Sequence, residues 1–227
     1  IRAAERWYDV EARVRLSTAV ERSTAGTPLL DVTVEWEYTT VPSGSERRFA
    51  CVSDRATYNA LVMDTPITTT WLMTPRPGMD AASRRCFELL SFTVDGEDMP
   101  IRRTEHEGGQ TYIVDASVAA AAGNPVRIRH VYRTVTPAWG HRIYVELPQP
   151  ARGISFDLDY TNTSIDSVSV TDMAANGRAA QIVPSPKRAA GRSLSLRAPG
   201  WLLSKSGFAI VWTLEDELPQ SERSEAT

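Results

Sequence analysis

Between Val126 and Tyr160 apolar and polar side chains alternate in three successive runs separated by turn-forming residues. Val126, Ile128, His130 and Tyr132 share one parity, and Arg127, Arg129, Val131 and Arg133 the other. This period of two is the signature of a strand with one buried face, and it points three guanidiniums the same way. Thr136 to Gly140 interrupts the pattern as a loop, because Pro137 lacks an amide donor and Gly140 relaxes the backbone. Ile143, Val145 and Leu147 then alternate with Arg142, Tyr144 and Glu146, until Pro148 and Pro150 end the strand. After Gly153, Ile154, Phe156, Leu158 and Tyr160 alternate with Ser155, Asp157 and Asp159.

The same reading extends to both ends. Tyr8, Val10, Ala12, Val14 and Leu16 alternate with Asp9, Glu11, Arg13 and Arg15. After a turn at Thr24 to Pro28, Leu30, Val32, Val34, Trp36 and Tyr38 do so against a row that includes Glu35 and Glu37. A short loop predicts these two as antiparallel neighbours, with arginines opposite glutamates. Residues 42–90 are mixed: Ser53 and Asp54 predict a capped helix through Met63, Ile67 to Met73 a strand, and Asp80 a second helix through Leu90. Phe87 to Val94, Pro100 to Thr104 and Thr111 to Asp115, with turns at Asp95-Gly96 and Gly108-Gly109, predict a three-stranded meander. Asp115 to Gly123 predicts a short helix ended by glycine. Further on come a strand around Val168 and Val170, an irregular excursion over 172–192, and a strand at Leu194 and Leu196. Pro199-Gly200-Trp201 then reads as a turn, before a last strand through Phe208, Ile210, Trp212 and Leu214.

About ten to twelve strands with one or two short helices predict an all-β fold, an antiparallel β-sandwich with a β-barrel as the alternative. Residues 1–214 read as one β-rich domain and 215–227 as an acidic, disordered tail.

Composition narrows the partners. With 42% hydrophobic and 23% charged residues the chain has the make-up of a soluble globular protein. A net charge of -3 argues against general nucleic-acid binding. No apolar run approaches the roughly 20 residues that span a bilayer, so no membrane insertion by this segment is expected. Two cysteines, Cys51 and Cys86, without CxxC spacing predict free thiols and a cytoplasmic location. The Arg- and Ala-rich, Lys-poor make-up points to a bacterial source, and a start at Ile1 to a piece of a longer parent chain, with its other domains or further copies as partners.

No phosphate loop, dinucleotide fingerprint or nucleophile elbow occurs, so no cofactor is predicted. His106, His130 and His141 lack zinc-site spacing, and Asp157, Asp159 and Asn162 lack the glycine and glutamate of a calcium loop, so neither set predicts a metal. Arg127, Arg129, Arg133 and Arg142 could grip a phosphate or carboxylate, or else form a solvated face paired with acids such as Glu146. His130, on the apolar parity, reads as a core or pocket histidine. Trp139 and Trp201 stand beside glycines in loops, where an aromatic can act as a stacking platform, and Tyr144 shares a strand face with Arg142. Together these predict a sensor module for a small anionic, nucleotide-like ligand within a larger bacterial signalling or defence protein. A barrel enzyme of cyclase or isomerase type and a protein-interaction domain are the alternatives.

Overall fold

The predicted alternation becomes a large mixed sheet with two smaller sheets on one of its faces. The computed structural model describes residues 5–19, 28–63, 68–173, 180–185 and 191–218. In chain order the elements are β1 (Trp7–Thr18), β2 (Leu29–Thr40), β3 (Glu46–Val52), α1 (Arg55–Met63), β4 (Thr68–Leu72), β5 (Phe87–Val94), β6 (Glu97–Asp98), β7 (Ile101–His106), β8 (Gly109–Asp115) and α2 (Ser117–Ala122). There follow β9 (Val126–Pro137), β10 (Arg142–Glu146), β11 (Ala151–Asn162), β12 (Ile165–Asp172), β13 (Gln181–Pro184), β14 (Ser193–Leu202) and β15 (Gly207–Leu214). The eight-stranded sheet runs β13-β14-β11-β1-β2-β9-β5-β6, a three-stranded sheet β10-β15-β12, and a four-stranded sheet β4-β3-β8-β7. The fold is all-β and sandwich-like, as the pattern predicts. Among the described residues two ladders are parallel, β1 with β11 and β3 with β4.

Both small sheets cover the same face of the large one. Phe49 of β3 meets His130 at 5.0 Å and Phe92 at 6.1 Å, and Trp71 of β4 meets Phe87 and Tyr132 at 4.5 Å each. On the other half, Phe208 of β15 packs on Phe156 of β11 at 6.0 Å. Val14, Val32, Ile128, Phe156 and Leu196, all on the inner parity of their strands, are buried between the layers. The outer parity carries charge: Arg13 meets Glu35 at 2.7 Å across the β1–β2 pair, as the opposed rows predict.

Several local readings are corrected. Asp9 takes φ 51° and bulges β1, so Trp7 points inward and Tyr8 does not. Asp80 starts no helix: its Oδ1 accepts from Ala82 N at 2.9 Å, turns carry the chain to Cys86, and extended backbone begins at Phe87. The predicted meander is divided, because β5 and β6 belong to the large sheet while β7 and β8 pair in the four-stranded one. Pro199 to Trp201 does not turn β14; Gly200, at φ 88°, bulges a strand that continues to Leu202. The turn comes at Lys205, with φ 68°. Asp95 (φ 51°) and Gly96 (φ 86°) form the predicted hairpin. Asp54 accepts from Thr57 N at 2.6 Å and caps α1, and Gly123 ends α2 at φ 65°. Gln181–Pro184, inside the predicted irregular stretch, is an edge strand. Thr24 to Thr27, Ile67, residues 174–179 and 186–190, and the tail over 219–227 lie outside the described residues. No described helix is long and apolar enough to cross a membrane.

A buried ion pair pins the second layer to the first. Arg47 of β3 places Nη2 2.6 Å from Glu5 Oε1, just ahead of β1, and that oxygen also accepts from Ser43 N at 2.8 Å. Both side chains are almost fully enclosed.

Candidate functional site

The two small sheets leave a cleft of about 540 Å³ between them. Its floor is the inner face of the large sheet, reached by alternate residues: Val32, Val34 and Trp36 of β2, and His130, Tyr132 and Thr134 of β9. One wall comes from the four-stranded layer through Tyr58 and Val62 of α1, Thr69 to Leu72 of β4 and the chain that follows to Thr74. The opposite wall is Trp139 and β10, from Arg142 to Glu146. Trp139 stands on a 3-10 turn, Ala138–Gly140, closed where His141 takes φ 53°. That turn is tied to β15, because Trp212 Nε1 donates to Ala138 O at 2.8 Å and Trp212 N to His141 O at 3.0 Å.

The cleft is aromatic inside and cationic at its mouth. The Arg76 guanidinium lies 4.6 Å from the Trp139 ring centre and so bridges the two walls, while Arg142 lies 5.8 Å from that of Tyr144. Arg76, Arg142 and Lys205 are exposed on the lining, with Glu146 as the one carboxylate among its described residues. Among the described residues no carboxylate forms an ion pair with any of these three cations. Deeper in, Trp7 Nε1, His130 Nδ1 and Thr70 Oγ1 are buried on the lining without a hydrogen-bond partner among the described residues. Burial, helped by the nearby Arg47 charge, pushes His130 down to about 3, so its ring is neutral at any ordinary pH.

Of the residues singled out from sequence, the cleft gathers His130, Trp139, Arg142 and Tyr144. Arg127, Arg129 and Arg133 stand on the opposite face of β9, each against an acid from a neighbouring strand. Arg127 Nε lies 2.5 Å from Glu37, Arg129 Nε 3.0 Å from Glu35, and Arg133 Nη2 3.0 Å from Glu88. The hydrogen bond from Arg129 holds the Glu35 carboxyl below the usual carboxylate range. A shallow outer depression beside Arg127 and Arg129 also contains Glu37 and Asp95, which offset its charge. Trp201 lies outside the cleft, edge-on to Tyr8 at 5.7 Å. Arg76, Tyr58 and Lys205 join the site from loops and a helix, where no alternation marks them. The Arg-Pro-Gly turn at 76–78 is their one visible signal. Among the described residues no group of three or more His, Cys, Asp or Glu is placed to hold a metal.

No family model matches the chain, and no curated protein matches it in sequence. Among solved structures it is similar to a "putative protease" from Parabacteroides distasonis, with a TM-score of 0.51 and 8% identity over 93% of this chain and 40% of that one. It is also similar to an M1 zinc metallopeptidase from Deinococcus radiodurans, with a TM-score of 0.44 and 10% identity over 91% of this chain and 41% of that one. This chain therefore spans about two fifths of the length of either. At such identity the first likeness carries architecture alone: the same β fold recurs as part of a longer chain.

Proposed function

We propose that the cleft binds a small organic anion, its flat or apolar body against Trp36, Trp71 and Tyr132 and its charge among Arg76, Arg142 and Lys205. A nucleotide is one ligand of this kind. The observation that carries the reading is a contrast among the described residues: each outer arginine of β9 is matched by an acid, whereas the cations at the cleft mouth meet none. A volume near 540 Å³ suits a small molecule, since such sites run to roughly 300–1,000 Å³. Binding is favoured over catalysis, because the described lining offers a single rim carboxylate and a histidine too weakly basic to take a proton near neutrality. The likeness to two fifths of the Parabacteroides distasonis chain supports a module within a longer polypeptide, where it would report on its ligand.

The test is thermal shift and calorimetry with AMP, phenyl phosphate and benzoate. Arg142→Ala should weaken binding by about 1–3 kcal/mol, the size of a lost charge-assisted hydrogen bond. Arg129→Ala, on the outer face, should leave it unchanged. If none of these anions stabilises the wild type at millimolar concentration, the reading is wrong.

A further inference from the structure

The lining contains a distinction that bears on the kind of ligand. A strand that borders a cavity with one face contributes every second residue, because successive side chains point to opposite sides. The floor obeys this, with Val32, Val34 and Trp36 from β2 and His130, Tyr132 and Thr134 from β9. The walls do not: β10 lines the cleft with Arg142, Ile143, Tyr144, Val145 and Glu146 in unbroken succession, and β4 with Thr69, Thr70, Trp71 and Leu72. A strand that lines a cavity with consecutive residues is presenting its edge. Both strands are terminal in their sheets, β10 pairing with β15 and β4 with β3 among the described residues.

The edge of β10 is the more open to a partner. Leu147 N donates to Ser206 O at 2.8 Å, Lys205 N to Leu147 O at 2.8 Å, and Trp212 N to His141 O at 3.0 Å, so the odd-numbered positions face β15. Alternation along an antiparallel strand turns the peptide groups of Arg142, Tyr144 and Glu146 the other way, where no described strand meets them. Arg142 and Tyr144 are exposed there, and Arg76 and Lys205 stand close by on the same cleft. An open row of donors and acceptors, an aromatic floor below and unmatched cations beside it are the features of strand addition to an acidic segment.

We propose that the cleft takes an extended acidic peptide, which adds as a strand to the free edge of β10 and sets carboxylates against Arg76, Arg142 and Lys205. This rests on the anion-binding reading of the same site and names the class of ligand. The ladder uses backbone groups of both partners, so it tolerates many sequences provided that acidic side chains recur on one side of the peptide.

The probe is a labelled peptide alternating glutamate and valine over about six residues, some 20 Å when extended. It is titrated into the whole chain by fluorescence anisotropy, beside a twin N-methylated at every second residue and beside AMP. Strand pairing requires the peptide to bind and its methylated twin to bind about tenfold more weakly or worse, because ladder hydrogen bonds are lost. Tyr144→Pro, which removes an amide facing away from β15, should lower peptide affinity to the same degree. The methylated twin gives the answer even if that variant folds poorly. Equal binding of the two peptides, with AMP still bound, overturns strand addition and leaves the anion site standing. Wild-type peptide affinity in a folded Tyr144→Pro overturns the β10 edge. Methylation-sensitive binding of the peptide, with AMP, phenyl phosphate and benzoate all failing to bind, supports strand addition and overturns the small-anion reading. Binding of neither the peptide nor any of the three anions overturns both.

Discussion

Removing Arg47 tests whether the layers that form the cleft are held by a buried charge pair or by packing alone. Its side chain is 6% exposed and that of Glu5 1%, and their closest approach is 2.6 Å. With Arg47→Met, Glu5 keeps Ser43 N at 2.8 Å and Ser43 Oγ at 3.2 Å as its partners among the described residues, and a carboxylate is left in a nearly dry interior. Stranding one member of such a pair costs about 3–5 kcal/mol, whereas replacing both with apolar side chains of similar volume is often close to neutral. For a chain of this size each kcal/mol lowers Tm by about 2–4 °C, so Arg47→Met should melt roughly 6–20 °C early. Glu5→Leu/Arg47→Met should regain most of that loss. Urea unfolding of the four proteins gives the double-mutant cycle, and because Glu5→Leu strands the Arg47 charge in turn, a coupling above about 3 kcal/mol is expected. A loss under about 1 kcal/mol for Arg47→Met would mean that the pair behaves as a hydrated surface contact. A double variant as unstable as the sum of the singles would assign the cost to lost packing. Either outcome refutes the argument.

His130 gives a pH signature: its folded value near 3 lies below the ordinary 6.5, so the unfolded chain takes up the proton first. Its contribution to stability is complete above about pH 6.5 and falls by about 1.4 kcal/mol per unit from there down to about pH 3. Stability measured by urea between pH 4 and 6 should therefore have a slope one proton shallower in His130→Phe than in wild type. Gly207→Ala should cost about 2–3 kcal/mol in urea and abolish ligand binding, because a Cβ there would lie 2.0 Å from Val145 O and push β10 off β15. Cys51 and Cys86 are free and buried, and burial pushes the Cys51 thiol up to about 12. A thiol reagent should therefore leave both untouched in the native protein and label both after unreduced unfolding.

The parity of β9 is written plainly in the sequence, and both its buried row and its arginine row lie where alternation puts them. What those arginines meet is not written there, since Glu35, Glu37 and Glu88 reach them only through the register of β9 with β2 and β5. The arginine row therefore looks like a binding face until the sheet is assembled. Glu46–Val52 carries no alternation in its last residues, Phe49 to Val52, because that stretch is buried throughout, and so it gives no period-two signal. Asp80 resembles a helix cap because an aspartate that accepts from an amide two residues on serves turns and helix starts alike. The switch of sheets between β6 and β7 passes through Met99 and Pro100, and Pro100 reads from sequence as the start of the next meander strand. Trp139 and Arg142 were legible as candidates, one by its glycine neighbour and the other by its strand face, whereas Arg76 and Lys205 enter only through loop paths.

The place of β1 sets an order on biosynthesis. Its neighbour on one side, β2, emerges soon after it, but the other, β11, begins only at Ala151 and runs parallel to it. A chain leaving the ribosome must therefore carry one side of β1 unpaired while well over a hundred further residues are made, and the large sheet closes late. Long-range pairing of this sort slows folding and exposes a template for aggregation. Glu11, Arg13 and Arg15 on the outward row of β1 put charge along that waiting edge, where it discourages a second nascent chain from pairing first.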